Sequence, residues 1–454
     1  MRRFALPLML VFVVACTAET SSPAVADHFE VVSGDAQRGR LNGELDAPII
    51  VRLIDDQGHP MAGERIYSST SDADATIEVT SDSTDRLGGY ALRWTLGSTL
   101  GVQSLHLRTS GDATIAIGVE ATALQVDTMA SGLFFACGID PAGSTWCWGD
   151  NYYGRLGVDD YTVEGPTLVG ADSLHFIGLT VGDLHACGRT AIGEVFCWGA
   201  NFSGQLGNGR QGTTGNQSSA PVRVVGLPPV RALDAGRWAT CALTTSDEVW
   251  CWGAGAGTPS SDLPRQMFGG ATFRAIALGR DHGCGITTGD SVECWGDDTY
   301  GQLGSGAGVS SSPTPLPIAR PLSASQIVSG EAGSCALEAV GRLYCWGDIA
   351  GLHSRERDSL GTGYPALMDE AGPVRGVSLG WYCGAIWAAV GAPRFLCRSW
   401  QSDVETNGAN YSQVEFGSES LCVRTAAGVI YCKSYSDTGS LPYYDYKASA
   451  VPAP

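Results

Sequence analysis

The chain is short of positive charge. Its 454 residues hold 28 Lys and Arg against 47 Asp and Glu, a formal net charge of −19. A surface of that sign repels a phosphate backbone, and no stripe of Lys or Arg interrupts it, which argues against nucleic acid as a partner. Beyond residue 15 no apolar run is long enough to span a bilayer. Catalytic motifs are missing too: there is no Gly-x-Ser-x-Gly elbow, no His-Glu-x-x-His and no phosphate-cradling Gly-Lys loop. The acid pairs Asp55-Asp56, Asp159-Asp160 and Asp297-Asp298 read as solvated loop residues, because adjacency does not make carboxylates converge. Cysteine is absent from residues 29–123, although the chain has 15.

What is present points to β-structure and export. The 61 Gly and 21 Pro suit many tight turns and argue against a helical protein. Arg2 and Arg3 precede an apolar run from Phe4 to Ala15, which reads as a signal peptide over residues 1–15. Its ending, Val13-Val14-Ala15-Cys16, resembles a bacterial lipobox, in which the cysteine carries lipid and becomes the first mature residue. That resemblance implies an anchor at Cys16, a polar tether over 16–28 and membrane attachment through the lipid only. Thr17 implies outer-membrane sorting, facing the periplasm or the cell surface.

Residues 29–123 form short alternating runs broken by Asp-Gln-Gly-His-Pro and Leu-Gly-Gly, the pattern of a small β-sandwich. The pairing of "DDQGHPMAGERI" with "TDRLGGYALRWTLG" is similar to bacterial immunoglobulin-like domains of the invasin and intimin kind, and implies a spacer without catalytic residues. His28, His59 and His106 are scattered through it as surface or packed residues.

From residue 124 to 454 the pattern changes. Fourteen cysteines fall into consecutive pairs: Cys137 and Cys147, Cys187 and Cys197, Cys241 and Cys251, Cys284 and Cys294, Cys335 and Cys345, Cys383 and Cys397, Cys422 and Cys432. First cysteines follow each other at steps of 50, 54, 43, 51, 48 and 39 residues. A unit of this size, repeated and rich in strands and turns, is the signature of an all-β fold, a β-propeller or a related array, and seven units lie within the blade numbers that close a ring. Within a unit, period 2 sets the cysteines on one face with Ile139, Leu243, Ile286 and Leu337 from the first strand. Val195, Val249, Val292, Leu343 and Ile430 join them from the second. Folding the unit as a hairpin opposes the two cysteines, so each pair is expected to form one disulfide per blade. Metal binding would need CxxC spacing or a His and carboxylate cluster, and neither is present; no metal or cofactor is expected.

The motif extends past the hairpin as "CWGDNYYGRLG" at 147–157, "CWGANFSGQLG" at 197–207 and "CWGDDTYGQLG" at 294–304. A glycine precedes the first cysteine by five residues at Gly132, Gly182, Gly236, Gly279, Gly330 and Gly417. His185 and His282 hold a histidine position that Phe135 and Thr240 take elsewhere. These residues resemble the repeat of the regulator of chromosome condensation family, and the resemblance implies a seven-bladed propeller. Units three and five lack the Gly-Gln-Leu-Gly tail, and units six and seven replace the Trp-Gly after the second cysteine.

Trp148, Trp198, Trp252, Trp295 and Trp346 stand at one fixed repeat position, which reads as packing between blades. Tyr152, Tyr153, Phe202 and Tyr300 lie in the variable loops and are the candidate partner contacts; "YYDY" at 443–446 is a further aromatic cluster. His185 and His282 read as hydrogen-bonded structural groups. Together these features predict a monomeric, envelope-anchored, non-enzymatic recognition or adhesion protein that binds a protein or glycan. Three alternatives are a propeller hydrolase or lyase acting on polysaccharide, an inhibitor of a secreted enzyme, and guanine-nucleotide exchange. The first needs carboxylates converging at one rim.

Overall fold

A computed structural model describes residues 25–368 apart from 36, 41–42, 98–100, 112, 162–164, 171–173, 211–215, 307 and 350–362. Beyond 368 it describes 373–380, 383–388, 394–397, 411–416, 420–425, 429–434 and 449–450. Signal segment, Cys16 and Tyr443–Tyr444 fall outside the described residues. The chain divides into two compact units, one ending at Ala121 and one beginning at Thr122.

The first unit holds two four-stranded sheets. One has the spatial order Ala26–Ser33, Ile49–Asp55, Gly89–Thr95, Thr76–Val79. The other runs Arg38–Arg40, Thr114–Thr122, Gly101–Arg108, Tyr67–Thr70. Alternate residues are buried, as a half-covered strand requires: Val51 and Leu53, Tyr90, Leu92 and Trp94, Leu105 and Leu107, Ile117 and Val119. The two turn motifs are closed by aspartates. Asp55 accepts the N–H groups of Gln57 and His59 at 2.9 and 2.7 Å, and Asp85 accepts those of Leu87 and Gly89, both at 2.8 Å.

The second unit contains seven successive sheets, in each of which the spatial order of strands follows the chain. Six are four-stranded; in the sixth, three strands are described. The sheets span 128–168, 176–223, 230–266, 273–317, 324–367, 374–397 and 411–450 and are numbered here as blades one to seven. The first strand of each blade packs on that of the next: Thr128–Ser131, Phe176–Val181, Val230–Ala235, Phe273–Leu278, Ala324–Ser329, Val374–Leu379, Tyr411–Phe416. The last of these touches the first again, so the blades close into a ring. Gln413 Nε2 donates to the Met129 carbonyl at 3.0 Å and Arg424 to that of Val126 at 3.1 Å across the closure. Leu124, Val126, Met129 and Trp148 bury themselves there with Ile430.

The middle hairpin of each blade explains the cysteine spacing. In blade two, His185–Thr190 pairs with Val195–Ala200, and Cys187 lies opposite Cys197. The turn is a three-residue loop closed by the bond from Thr190 N–H to the Glu194 carbonyl, with Gly193 in the left-handed region at φ 83°. Asp247 and Asp290 take that place in blades three and four, both at φ 65°. Counting outward from the closing bond makes the cysteines a non-hydrogen-bonded pair, the kind in which opposed side chains come closest. Six disulfides result, joining Cys137 to Cys147, Cys187 to Cys197, Cys241 to Cys251, Cys284 to Cys294, Cys335 to Cys345 and Cys422 to Cys432, with Cα atoms 4.0–4.1 Å apart. Cys383 and Cys397 are opposed in register, and their side chains lie outside the described residues.

The apolar residues sharing the cysteine face are buried: Ile139, Leu243, Ile286 and Leu337 from the second strands, and Val195, Val249, Val292, Leu343 and Ile430 from the third. The repeated tryptophans join blades. Each indole N–H donates to the preceding blade: Trp198 to the Arg155 carbonyl at 3.0 Å, Trp252 to Gln205 at 2.8 Å, Trp295 to Ala256 at 3.0 Å and Trp346 to Gln302 at 2.9 Å. Blade three lacks the Gly-Gln-Leu-Gly tail, yet Ala256 still supplies the carbonyl.

Candidate functional site

The repeated glycines end the first strands and meet around the axis. A Cβ on Gly132 would stand 2.2 Å from the Gly182 carbonyl oxygen, and one on Gly182 would stand 2.5 Å from that of Gly236. The same holds from Gly236 to Gly279 at 2.3 Å and from Gly279 to Gly330 at 2.4 Å. Only hydrogen fits between neighbours, which is why this position is glycine. After each glycine the chain turns back into the second strand, as in the bond from Gly182 N–H to the His185 carbonyl at 2.9 Å. The loops following Cys-Trp-Gly reach the same rim. Asp150 N–H donates to the Phe134 carbonyl, Ala200 N–H to that of Leu184 and Asp297 N–H to that of Asp281.

All four aromatic candidates lie in these loops. Tyr152 is 58% exposed and Phe202 43% exposed, and Tyr153 stands between them with ring centroids 4.3 and 4.8 Å away. The three rings therefore join blades one and two in one patch. Tyr300, 54% exposed, lies apart from them in blade four, in a depression shared with Arg280, Asp281, Asp297, Glu331 and Asp348. The turns after the glycines add Trp238, exposed in blade three, with the Arg237 guanidinium 4.3 Å above its ring. The sequence reading missed Trp238; its place two residues after a repeated glycine is the feature that would have found it.

Charges on this rim are organised in pairs. Arg155 is buried beneath the aromatic patch, 2.7 Å from the Asp150 carboxylate, and its guanidinium donates to the Leu133 and Asp150 carbonyls, both at 2.7 Å. Arg237 reaches Asp183 at 3.4 Å, and Arg280 reaches Asp281 at 3.2 Å and Glu331 at 3.1 Å. Two further acids sit deeper along the axis, each two residues before a repeated glycine. Asp234 accepts the Leu278 N–H at 2.6 Å and the Thr180 hydroxyl at 3.4 Å, and burial lifts its pKa to about 6. Glu415, on the first strand of blade seven, accepts from Gln413 Nε2 at 2.9 Å. Burial lifts its pKa to about 7, with the Asp234 charge adding to the rise. Among the described residues no group of three or more His, Cys, Asp or Glu is arranged to hold a metal ion.

The model of the regulator of chromosome condensation (RCC1) repeat matches residues 193–243, and a second model of the same repeat matches 176–205 and 273–302. Residues 176–243 and 273–302, in blades two, three and four, match this repeat. Solved structures agree on the fold. Yeast RCC1 (Prp20), crystallised with Kap60, is similar at 21% identity over 67% of this chain and 83% of that one, with a TM-score of 0.56. Prp20p from Saccharomyces cerevisiae gives 20% identity over 68% and 84%, with a TM-score of 0.55. Human WBSCR16 gives 17% over 70% and 78%, with a TM-score of 0.51. No curated protein matches the chain.

Within the propeller the histidines occupy one register position, opposite Gly199 and Gly296. Ala239, opposite Gly253, holds that position in blade three, so the assignment of Thr240 to it is one residue off. Thr240 is instead the partner of His185, with Nε2 and Oγ1 2.8 Å apart, and Ser334 partners His282 in the same way at 2.9 Å. Both histidines are fully buried, which holds their pKa values down to about 3 and about 4. They join blades and lie under the rim. Asn201, in one of three sequons, is also buried, and its amide donates to the Arg210 carbonyl within its own loop.

Proposed function

We propose that the protein is a non-enzymatic recognition or adhesion protein of the cell envelope that binds a protein or glycan through the described rim of its RCC1-repeat propeller. The observation carrying this reading is the exposure of Tyr152 and Phe202, with the half-buried Tyr153 ring between them, on loops fixed to disulfide-stapled blades. Exposed aromatics on a rigid frame give contact area at little entropic cost, the character of an interface centre. The yeast propeller was crystallised with Kap60, and Prp20p is described by its binding to Gsp1p and histones; both favour a protein partner here. Six disulfides suit an oxidising, exported environment. In this reading residues 1–15 are the export signal, Cys16 carries the lipid, 16–28 are the tether and the chain is a monomer. Residues 29–123 form an immunoglobulin-like spacer, and 124–454 present the rim.

A polysaccharide-acting enzyme is the second reading, favoured by one observation: Asp281, Asp297, Glu331 and Asp348 line one depression. Recognition is better supported, because Arg280 pairs with Asp281 and Glu331 while Asp297 accepts from Gln302 Nε2 and the Thr299 hydroxyl, both at 2.7 Å. A pull-down from envelope and secreted fractions, with a glycan panel beside it, tests the choice. Capture that is lost in Tyr152→Ala/Phe202→Ala supports recognition. Polysaccharide turnover abolished by Glu331→Gln, with no capture, overturns it.

A further inference from the structure

We infer that the rim's partner is a basic polypeptide segment whose arginine or lysine side chains seat on the exposed rings beside carboxylates. This rests on the recognition reading and sharpens it from any protein or glycan to one chemistry.

The rim already holds its own guanidiniums in that manner twice. Arg155 lies over the Phe135 ring, 5.4 Å from its centroid, with the Asp150 carboxylate 2.7 Å away. Arg237 lies over Trp238 at 4.3 Å, with Asp183 at 3.4 Å. A ring face is electron-rich and a carboxylate at its edge completes the charge, so the pair selects a cation. Tyr300 offers the same combination to solvent. Its depression contains four carboxylates, Asp281, Asp297, Glu331 and Asp348, and one guanidinium, Arg280. That is an excess of three negative charges around a ring 54% exposed.

The aromatic patch of blades one and two repeats the theme. The Asp150 carboxylate accepts the Tyr152 N–H at 2.7 Å, and Asp159 and Asp160 stand exposed at the end of the same loop. The flanking charge favours a cation over a neutral sugar. Tyr153 meets Tyr152 at an interplanar angle of 65° and Phe202 at 84°. These rings form steps with separate faces, each of a size one guanidinium covers, and the carboxylates beside them have no counter-charge in a neutral pyranose. A polypeptide spanning the two patches would put one cation on each, and the net charge of −19 draws such a chain toward the surface.

The test uses the full-length oxidised protein immobilised on a sensor. Probes are a short peptide alternating Arg with Gly, the same peptide with Glu or Gln for Arg, and neutral and acidic glycans. The expected result is binding of the basic peptide alone, weakened at least about tenfold between roughly 50 and 300 mM salt. Tyr300→Phe should keep that binding and Tyr300→Leu should weaken it about fivefold or more, since only the ring supplies the cation site. Tyr152→Leu/Phe202→Leu should weaken it likewise. Protection of the cysteines from alkylation shows that each variant is folded. Basic-peptide binding indifferent to both sets of ring losses would reduce the effect to bulk charge and overturn the inference. Capture of a glycan or acidic peptide through the same rings would overturn it while leaving the recognition reading intact. Absence of any ligand, with no change in the envelope pull-down when the rings are removed, would end both.

Discussion

The Nε2 atom of His185 in blade two lies 2.8 Å from the Thr240 hydroxyl in blade three. Thr240 in turn donates to the Gln205 carbonyl at 3.4 Å, which leaves its oxygen free to accept the imidazole N–H. Blades four and five repeat the pairing with His282 and Ser334. At two junctions whose preceding blade has no histidine the hydroxyl is gone as well: Ala186 follows Phe135, and Gly283 follows Ala239. The chain therefore records each inter-blade bond twice.

Thr240→Val keeps the shape and removes the acceptor, leaving a buried N–H unpaired. Urea unfolding should show a loss of about 1–3 kcal/mol. Adding His185→Phe to Thr240→Ala copies the first-to-second blade junction, and the double variant should be more stable than the sum of its single changes implies. Strict additivity would show that the bond carries no coupling.

Cys241→Ala/Cys251→Ala removes one staple and leaves the bonds of the other blades in place. In the chain-entropy account a loop of this length contributes about 2–3 kcal/mol. The unfolding midpoint should fall accordingly while the remaining cysteines stay protected from alkylation. An unchanged midpoint would mean that the hairpin is fully formed without its bond.

Acid and base act on this propeller in opposite senses. His185 and His282 are buried neutral, with pKa values of about 3 and about 4. The unfolded chain takes up those protons below about 6.5, so their contribution is complete above that pH and drains away as pH falls toward 3. Asp234 and Glu415, raised to about 6 and about 7, hold protons that the unfolded chain has already released. Their contribution is complete below about 4 and is lost as pH rises through 6 to 7. Asp234→Asn/Glu415→Gln should therefore stabilise at pH 8 by about 1–3 kcal/mol and change little at pH 4. Equal effects at both values would disprove the electrostatic account of the pair.

Gly236→Ala would put a methyl carbon 2.3 Å from the Gly279 oxygen in the next blade. The expected loss is about 1–3 kcal/mol, read from thermal unfolding. Gly289→Ala is the control, since the nearest atom there is 3.8 Å away. A similar cost at both sites would reject close approach as the reason for the glycine.

The hairpin was legible in the sequence because everything that defines it lies within about a dozen residues: Cys187, the turn at Gly193, Val195 and Cys197 repeat in register. The tryptophans were legible for the same reason, as one residue type at one offset. Ring closure was not. Besides the repeated Trp148, whose indole N–H reaches Cys432 Sγ at 3.2 Å, it joins Met129 to Gln413 and Val126 to Arg424, residues nearly 300 positions apart that belong to no repeated phrase. Asp234 and Glu415 sit at an offset the repeats define, yet the influence of one charge on the other depends on the curvature of the ring. Trp238 escaped because units one, two and four have Phe134, Leu184 and Asp281 at its position, so the repeated glycine marks the place but residue type does not.

Every disulfide seen here stays inside one hairpin, and none crosses a blade boundary. In each of these bonds the two cysteines are consecutive cysteines of the chain. Oxidation can then keep pace with delivery, one blade at a time, before distant thiols are present to compete. Correct pairing then needs no contact between blades, and the last blade has only to find the first by shape.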